Sequence, residues 1–438
     1  MNRRGGFAFG FLALIAVGAV LLASPFARTE GVWGNFFDAA FIACSAVCVT
    51  GLTVVDIGRE YTTAGLSVLM ALVQLGCLGL MTIGTFLMVA IGRRISLSSE
   101  FTLMNAYGIT GIRGLKSLIV WVVASMLLIE AAGAAALYPV YHDWFTGIFF
   151  SVMGFCNAGF SLFGVESLPI ARGWYGSLTM GTLTVAGGIG FLVIYNLCTF
   201  PFLRRRSGGK GRLTLHTKIV LEMTAALLAV TFLFFLALEW DGALAVCSDA
   251  SSKLATAFYQ AVTPRTCGFT AVATESLRPI TRLVYEILMF IGGAPGSAAA
   301  GIKVTTFAVL LCTLTALCRG EQETIVGRRV VPYDIVRESI VIFTALIALA
   351  AIVTGSLLLT EEGRGIANDA IFFEAVSAIT TTGLSVGETT AKLSGAGRIV
   401  IMVAMFLGRL GALTVVMMIG DRENKRHVRY PSEEIVVG

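Results

Sequence analysis

A chain of 438 residues with 56% hydrophobic and only 13% charged side chains carries more apolar surface than a soluble core can bury. The formal net charge of +5 lies in short clusters between apolar runs, which points to membrane topology and not to nucleic acid. Lipid is the solvent this composition fits.

In chain order, a long apolar stretch at about 6–26 is followed by a short one at 35–47 and a long one at 61–92. The next set is 117–138, short 144–155, and 174–200; then 219–241, short 252–263, and 281–318; then 340–359, short 368–379, and 397–420. The eight long stretches can each cross a ~30 Å hydrocarbon layer as a helix, whereas the four short ones cannot and read as re-entrant helices. The opening residues also have the outline of a secretory signal, but the run is long and the first set needs it as a helix.

Placing the N-terminus inside puts 20 of the 32 Lys and Arg residues on the cytoplasmic side, so both termini are expected there. Nine cysteines lie mostly in apolar segments without a CxxC pair, as small buried hydrophobes and not as a disulfide or zinc framework.

Each short stretch is followed by a related phrase: Val47-Cys48-Val49-Thr50-Gly51-Leu52, Phe155-Cys156-Asn157-Ala158-Gly159-Phe160, Arg265-Thr266-Cys267-Gly268-Phe269 and Thr380-Thr381-Thr382-Gly383-Leu384-Ser385. The glycines are 108, 109 and 115 residues apart. The expected fold is therefore all-α and integral to the membrane. Four helix–pore-helix–helix repeats surround one pore with pseudo-fourfold symmetry: 1–92, 93–203, 204–318 and 319–420, with a tail at 421–438.

Non-helical backbone at membrane depth must line a cavity or be buried in protein, and four loops meeting on one axis satisfy that. Their carbonyls can replace the hydration shell of K⁺. The expected filter comprises Val49, Thr50, Gly51, Asn157, Ala158, Gly159, Thr266, Cys267, Gly268, Thr381, Thr382 and Gly383. Asn35 and Asp38, Asp143, Ser251 and Ser252, and Asn368 and Asp369 are candidate caps or first-turn acids at the outer helix ends. So directed, the helix C-termini, each with about half a negative charge, favour a cation on the axis.

These phrases, with Gly292-Gly293-Ala294-Pro295-Gly296-Ser297 through Gly301-Ile302-Lys303, Leu215-His216-Thr217-Lys218, Gly408-Arg409-Leu410-Gly411 and Tyr430-Pro431-Ser432-Glu433-Glu434, resemble the membrane subunits of the Trk/Ktr/HKT superfamily of K⁺ transporters. Eight spans without an extra N-terminal hairpin make it more similar to the Ktr branch. The resemblance implies passive K⁺ uptake across the cytoplasmic membrane, a homodimer with one pore per subunit, and a cytoplasmic ring of nucleotide-binding (RCK-type) regulatory subunits. It also implies uptake that is often Na⁺-dependent.

The resemblance further makes Gly292–Gly301 an intramembrane gating loop, with Gly292, Gly293, Pro295, Gly296, Ser297, Gly301, Lys303 and Arg409 as gate residues. Read from the residues alone, the same stretch is a broken helix or a kinked packing helix. A Walker A loop fails because Ile302, not Lys, follows Gly301. Lys303 and Arg409, the two basic residues inside apolar segments, are expected to set the loop's electrostatic barrier and to bond loop carbonyls, respectively; snorkelling is the alternative. Arg265 reads as an outer-side residue bracing a pore helix through Glu374, or as a solvated mouth charge.

Glu130, Glu222 and Glu286 carry no role legible in the sequence. Ala298–Ala300 and Cys267 depart from the family pattern, and one glycine per phrase makes a looser carbonyl cage than two. A Na⁺-permissive channel of the same fold is the nearest alternative. A secondary transporter with inverted repeats fits less well, and a membrane enzyme lacks convergent ligands. No organic cofactor, nucleotide site or nucleic-acid partner is expected in this chain.

Overall fold

The computed structural model describes residues 5–79, 115–164, 168–206, 213–321, 323–326 and 329–411. The second half of the 61–92 stretch, the basic residues from Arg93 to Arg113, and the 421–438 tail lie outside them.

The first set is α1 (Gly5–Ala23), α2 (Phe36–Val47) and α3 (Thr63–Leu78). The second is α4 (Leu115–Tyr141), α5 (Trp144–Cys156), α6 (Trp174–Gly188) and α7 (Phe191–Arg206). The third is α8 (Leu215–Glu239), α9 (Ala250–Val262), α10 (Pro279–Phe290) and α11 (Val304–Cys318). A two-stranded antiparallel ribbon, β1 (Ile325–Val326) and β2 (Arg329–Val330), precedes α12 (Tyr333–Thr360), α13 (Asn368–Ile379) and α14 (Gly395–Leu410).

Among the described residues, three uninterrupted helices are long and apolar enough to cross a membrane: Val120–Tyr141, Leu215–Glu239 and Tyr333–Thr360. The 174–200 stretch is not one straight span, because α6 and the first part of α7 meet at 101°. Gly190, with φ +85, supplies the backbone turn there.

The short helices start as capping chemistry dictates, with two corrections. Asn35 and Asp143 are N-caps as expected, accepting from Phe37 N at 3.0 Å and Thr146 N at 2.9 Å. In the third short helix the cap is Asp249, which accepts from Ser252 N at 3.0 Å, so Ser251 and Ser252 fall inside the first turn. In the fourth the N-cap is Ala367, with no side-chain bond; Asn368 opens the helix and Asp369 is a first-turn acid.

The short helices form the core. Phe41, Phe149, Phe150, Phe155, Tyr259 and Phe373 on them are fully buried, while large apolar side chains such as Leu128, Leu233 and Leu359 on the long helices face outward. That inside-out distribution is what lipid-facing helices around a packed protein centre require.

Three of the four short helices are tied at their outer ends to the long helix that closes the preceding set. Trp174 Nε1 on α6 donates to Ser251 Oγ on α9 at 3.0 Å. Arg282 on α10 pairs with Asp369 on α13 at 3.1 Å, and Arg398 on α14 pairs with Asp38 on α2 at 2.8 Å. The last tie joins the fourth set to the first, 360 residues apart.

A candidate ion filter and the loop beneath it

All four short helices run into a segment that breaks helical geometry in the same way. Two residues before each phrase's glycine stands a non-glycine residue with left-handed backbone: Val49 (φ 57), Asn157 (φ 57), Thr266 (φ 63) and Thr381 (φ 49). Only one other described non-glycine residue, His142, has positive φ, so this conformation is nearly confined to the four phrases. Gly51, Gly268 and Gly383 are left-handed as well, at φ 96, 80 and 83.

The residue before each glycine is bonded back to its helix. Thr50 N donates to Ser45 O (2.8 Å), Ala158 N to Met153 O (2.9 Å), Cys267 N to Thr263 O (3.1 Å) and Thr382 N to Ser377 O (2.8 Å). Behind the third phrase, the Cys267 thiol sits 3.3 Å from Thr184 Oγ1 and 3.4 Å from Tyr259 OH.

The four phrases come together. A Cβ on Gly51 would overlap the backbone of Gly159, and one on Gly159 would lie 2.7 Å from Gly268 Cα. One on Gly268 would lie 2.6 Å from the Thr382 carbonyl, and one on Gly383 would overlap that of Thr50. The contacts therefore run in chain order and close back on the first phrase. Above them lies a cavity of about 350 Å³ lined by all four glycines together with Asp56 and Glu388, and by no Lys or Arg among the described residues.

A second fourfold pattern escaped the sequence reading. The long helix after each phrase contains a G-x-x-G pair, Gly76/Gly79, Gly187/Gly190, Gly293/Gly296 and Gly408/Gly411, beginning 25, 28, 25 and 25 residues beyond the phrase glycine. The second glycine of each pair is left-handed, at φ 74, 85, 71 and 83; α3 and α14 end at the residue before it, α6 two residues before it and α10 six residues before it. The signal was present, but a glycine pair inside an apolar run also reads as ordinary close packing.

In the third set the break widens into the loop 292–301. Its neck is closed by Gly292 N to Ile302 O and Ile302 N to Phe290 O, both 2.9 Å, and by Val304 N to Gly293 O at 3.0 Å. The loop docks in the bend between α6 and α7: Ala294 N donates to Gly188 O (2.9 Å), Ala298 N to Gly187 O (3.2 Å) and Phe191 N to Gly296 O (3.1 Å). Ser297 Oγ closes a turn on Ala294 O at 2.6 Å. Pro295 lies in that turn, and Gly301, left-handed at φ 70, completes the loop.

Three cations hold it, Arg265 buried and Lys303 and Arg409 partly so. Lys303 Nζ donates to Ala299 O at 2.6 Å. Arg409 donates to Ala298 O at 2.5 Å and to Gly76 O at 2.6 Å, joining the loop, α3 and α14. Both side chains bond backbone carbonyls of the protein. Arg265 is the third, and here the sequence expectation is overturned. It is buried, and Nη2 donates to Gly292 O at 3.3 Å, whereas Glu374 accepts from Ser385 Oγ at 2.8 Å and from Thr390 Oγ1. Arg265 follows the C-terminal end of its short helix, so it reaches inward to the loop and not outward to an acid.

Carboxylates without a sequence-level role also find partners. Glu130 on α4 accepts from Gln74 Nε2 on α3 at 2.9 Å, beside the Cys156 thiol. Glu239 accepts from Arg278 N (2.9 Å) and Thr281 Oγ1 at the start of α10, as Glu361 does from Ser394 N (3.0 Å) at the start of α14. Among the described residues no cluster of three His, Cys, Asp or Glu could hold a metal ion.

Four backbone segments thus converge beneath an acid-lined cavity, with a cation-held loop near their base. Residues 22–426 match the family model described as TrkH, cation transport protein, and the chain belongs to that family. It is 35% identical over 441 residues to Ktr system potassium uptake protein B of Bacillus subtilis, covering 98% of this chain and 96% of that one. It is 33% identical over 443 residues to potassium/sodium uptake protein NtpJ of Enterococcus hirae, with the same coverage. The crystal structure of the potassium transporter TrkH from Vibrio parahaemolyticus superposes with a TM-score of 0.73 over 96% of this chain and 85% of that one, at 19% identity, a likeness of fold.

Proposed function

We propose that this protein takes up K⁺ across the cytoplasmic membrane by passive movement through a single pore with pseudo-fourfold symmetry. Its filter is formed by the carbonyls of Val49–Gly51, Asn157–Gly159, Thr266–Gly268 and Thr381–Gly383. The carrying observation is the same left-handed break in all four phrases together with glycine-to-backbone contact around the ring. Backbone that alternates hand over three residues can present successive carbonyls to one side, and a ring of them replaces water around a desolvated monovalent cation. Four short-helix C-termini directed at the same place add to the cation's stabilisation. No covalent step is involved, so the chain works as a transporter and not as an enzyme.

Gly292–Gly301 is the gate in this reading, held closed across the pathway by Lys303 and Arg409. Eight spans in the sense set by the Lys and Arg bias, both termini in the cytoplasm, a homodimer and an RCK-type regulatory ring complete it. Na⁺ coupling belongs to the same proposal. A Na⁺-permissive pore is the second reading, favoured by the printed name of the Enterococcus relative.

The test is uptake of K⁺ and its tracer Rb⁺ in cells lacking their own K⁺ importers, with Gly51→Ser and Gly268→Ser beside the wild type. Both glycines have positive φ and neighbouring backbone where a Cβ would stand, so both variants are expected to lose uptake while still reaching the membrane. Wild-type uptake by membrane-inserted variants would refute the filter.

A further inference from the structure

In three sets the first glycine of the G-x-x-G pair lies directly against the carbonyl four residues before the phrase glycine. Gly76 meets Val47 O, Gly187 meets Phe155 O and Gly408 meets Ile379 O, so closely that a Cβ would overlap each carbonyl. The base of each filter segment thus rests on its own long helix. The third set cannot do this. Helix α10 ends at Phe290, and Gly293 backs instead onto Gly188 O, Ala299 Cβ and Ser297 Oγ in the loop's surroundings. At the position three before the phrase glycine the other sets carry Cys48, Cys156 and Thr380; the third carries Arg265. Its guanidinium spans the gap, donating to Gly292 O in the neck of the loop.

We infer that Arg265 is a positioning residue that couples the loop to the third filter segment, so that the loop's position sets ion selectivity as well as flux. This rests on the reading of Gly292–Gly301 as the gate. Arg265 is joined directly to Thr266, the left-handed residue that opens the third phrase, and its own N–H is anchored to Val262 O at 3.2 Å. Any displacement of the Gly292 carbonyl is therefore transmitted through one side chain to Thr266, Cys267 and Gly268.

The packing around the guanidinium leaves one small void. It has a volume of about 10 Å³ and is lined also by Gly188, Thr224 and Gly293, and neither Arg265 Nε nor Thr224 Oγ1 has a protein partner. The bond to Gly292 neutralises no charge, since its acceptor is a carbonyl. Removing the side chain therefore removes both the strut and a full charge at the inner end of the filter.

The experiment compares Rb⁺ and Na⁺ uptake by the full-length protein in importer-deficient cells, normalised to the amount in the membrane. The variants are Arg265→Gln, Arg265→Lys and Arg409→Gln. Arg265→Gln is expected to lower the Rb⁺:Na⁺ ratio about tenfold, equivalent to about 1.4 kcal/mol. Arg265→Lys, which keeps a charged donor, should restore it; a role confined to packing would not be rescued in this way. Arg409→Gln, which frees the loop from the other side, should alter total flux and also lower the ratio.

A wild-type ratio in membrane-inserted Arg265→Gln overturns the coupling. Should that variant fail to accumulate, Arg409→Gln decides: altered flux at an unchanged ratio overturns the coupling but leaves the gate standing. Wild-type flux and ratio in Arg409→Gln instead remove the gate reading, and the coupling with it.

Discussion

At the residue scale, hydrogen-bond geometry at the outer helix ends explains which polar residues matter. Bonds from Thr146 hold the Asp143 carboxyl below the usual carboxylate range, and those from Ser252 do the same for Asp249. A depressed folded-state pKa means that this contribution is present above the ordinary carboxylate pKa and lost as pH falls through the lowered value. Both caps are therefore charged at neutral pH. The fourth short helix has no such cap, yet Ala367 already has extended backbone, φ −67 and ψ 139, as a capping residue needs. Ala367→Asp is expected to raise stability by about 1 kcal/mol. A higher thermal unfolding midpoint in detergent is the measurement; an unchanged midpoint counts against cap geometry at 367. The same paired reading of cap and apolar run made the short helices legible from sequence to within two residues at either end. Asp249 was missed because Ser251 and Ser252, two plausible caps, stand just beyond it.

At the element scale, the long helices were legible as apolar runs, but of their breaks only the one at 292–301 was. Hydropathy does not register a change of backbone hand, so 174–200 read as one span, and Gly79 and Gly190 received no role. The partner of Arg265 was equally hidden, because only the widened break in the third set brings Gly292 within its reach. The breaks differ in what surrounds them. Among the described residues nothing lies within 4 Å of a would-be Cβ on Gly79, whereas one on Gly190 would lie 2.7 Å from Pro295 O in the loop. Gly79→Ala should therefore cost only the left-handed backbone penalty, roughly 1–2 kcal/mol. Gly190→Ala adds a push against the loop and should change Rb⁺ flux beyond what its loss of stability explains. Equal flux in the two variants, at matched membrane levels, would contradict a loop seated in that bend.

At the scale of the whole molecule, the contacts among the four phrases make a closed ring, and the Arg398–Asp38 pair joins the fourth set to the first outside it. The Arg398–Asp38 pair is about one-fifth exposed on both sides, dry enough to matter and wet enough to form without a large desolvation cost. Asp38→Asn and Arg398→Gln should each lower the unfolding midpoint. The double variant should lose less than the sum, by roughly 1 kcal/mol. Strict additivity would mean that the two side chains do not cooperate in joining the fourth set to the first.

The closing contact has a consequence for synthesis. Gly383 backs onto the Thr50 carbonyl, so the first filter segment gains its second neighbour only after more than three hundred further residues have been made. If the four phrases form the filter as proposed, a nascent chain halted before the fourth short helix lacks the segment that completes the ring of carbonyls. On that reading, a chain released early would carry no complete conduction path.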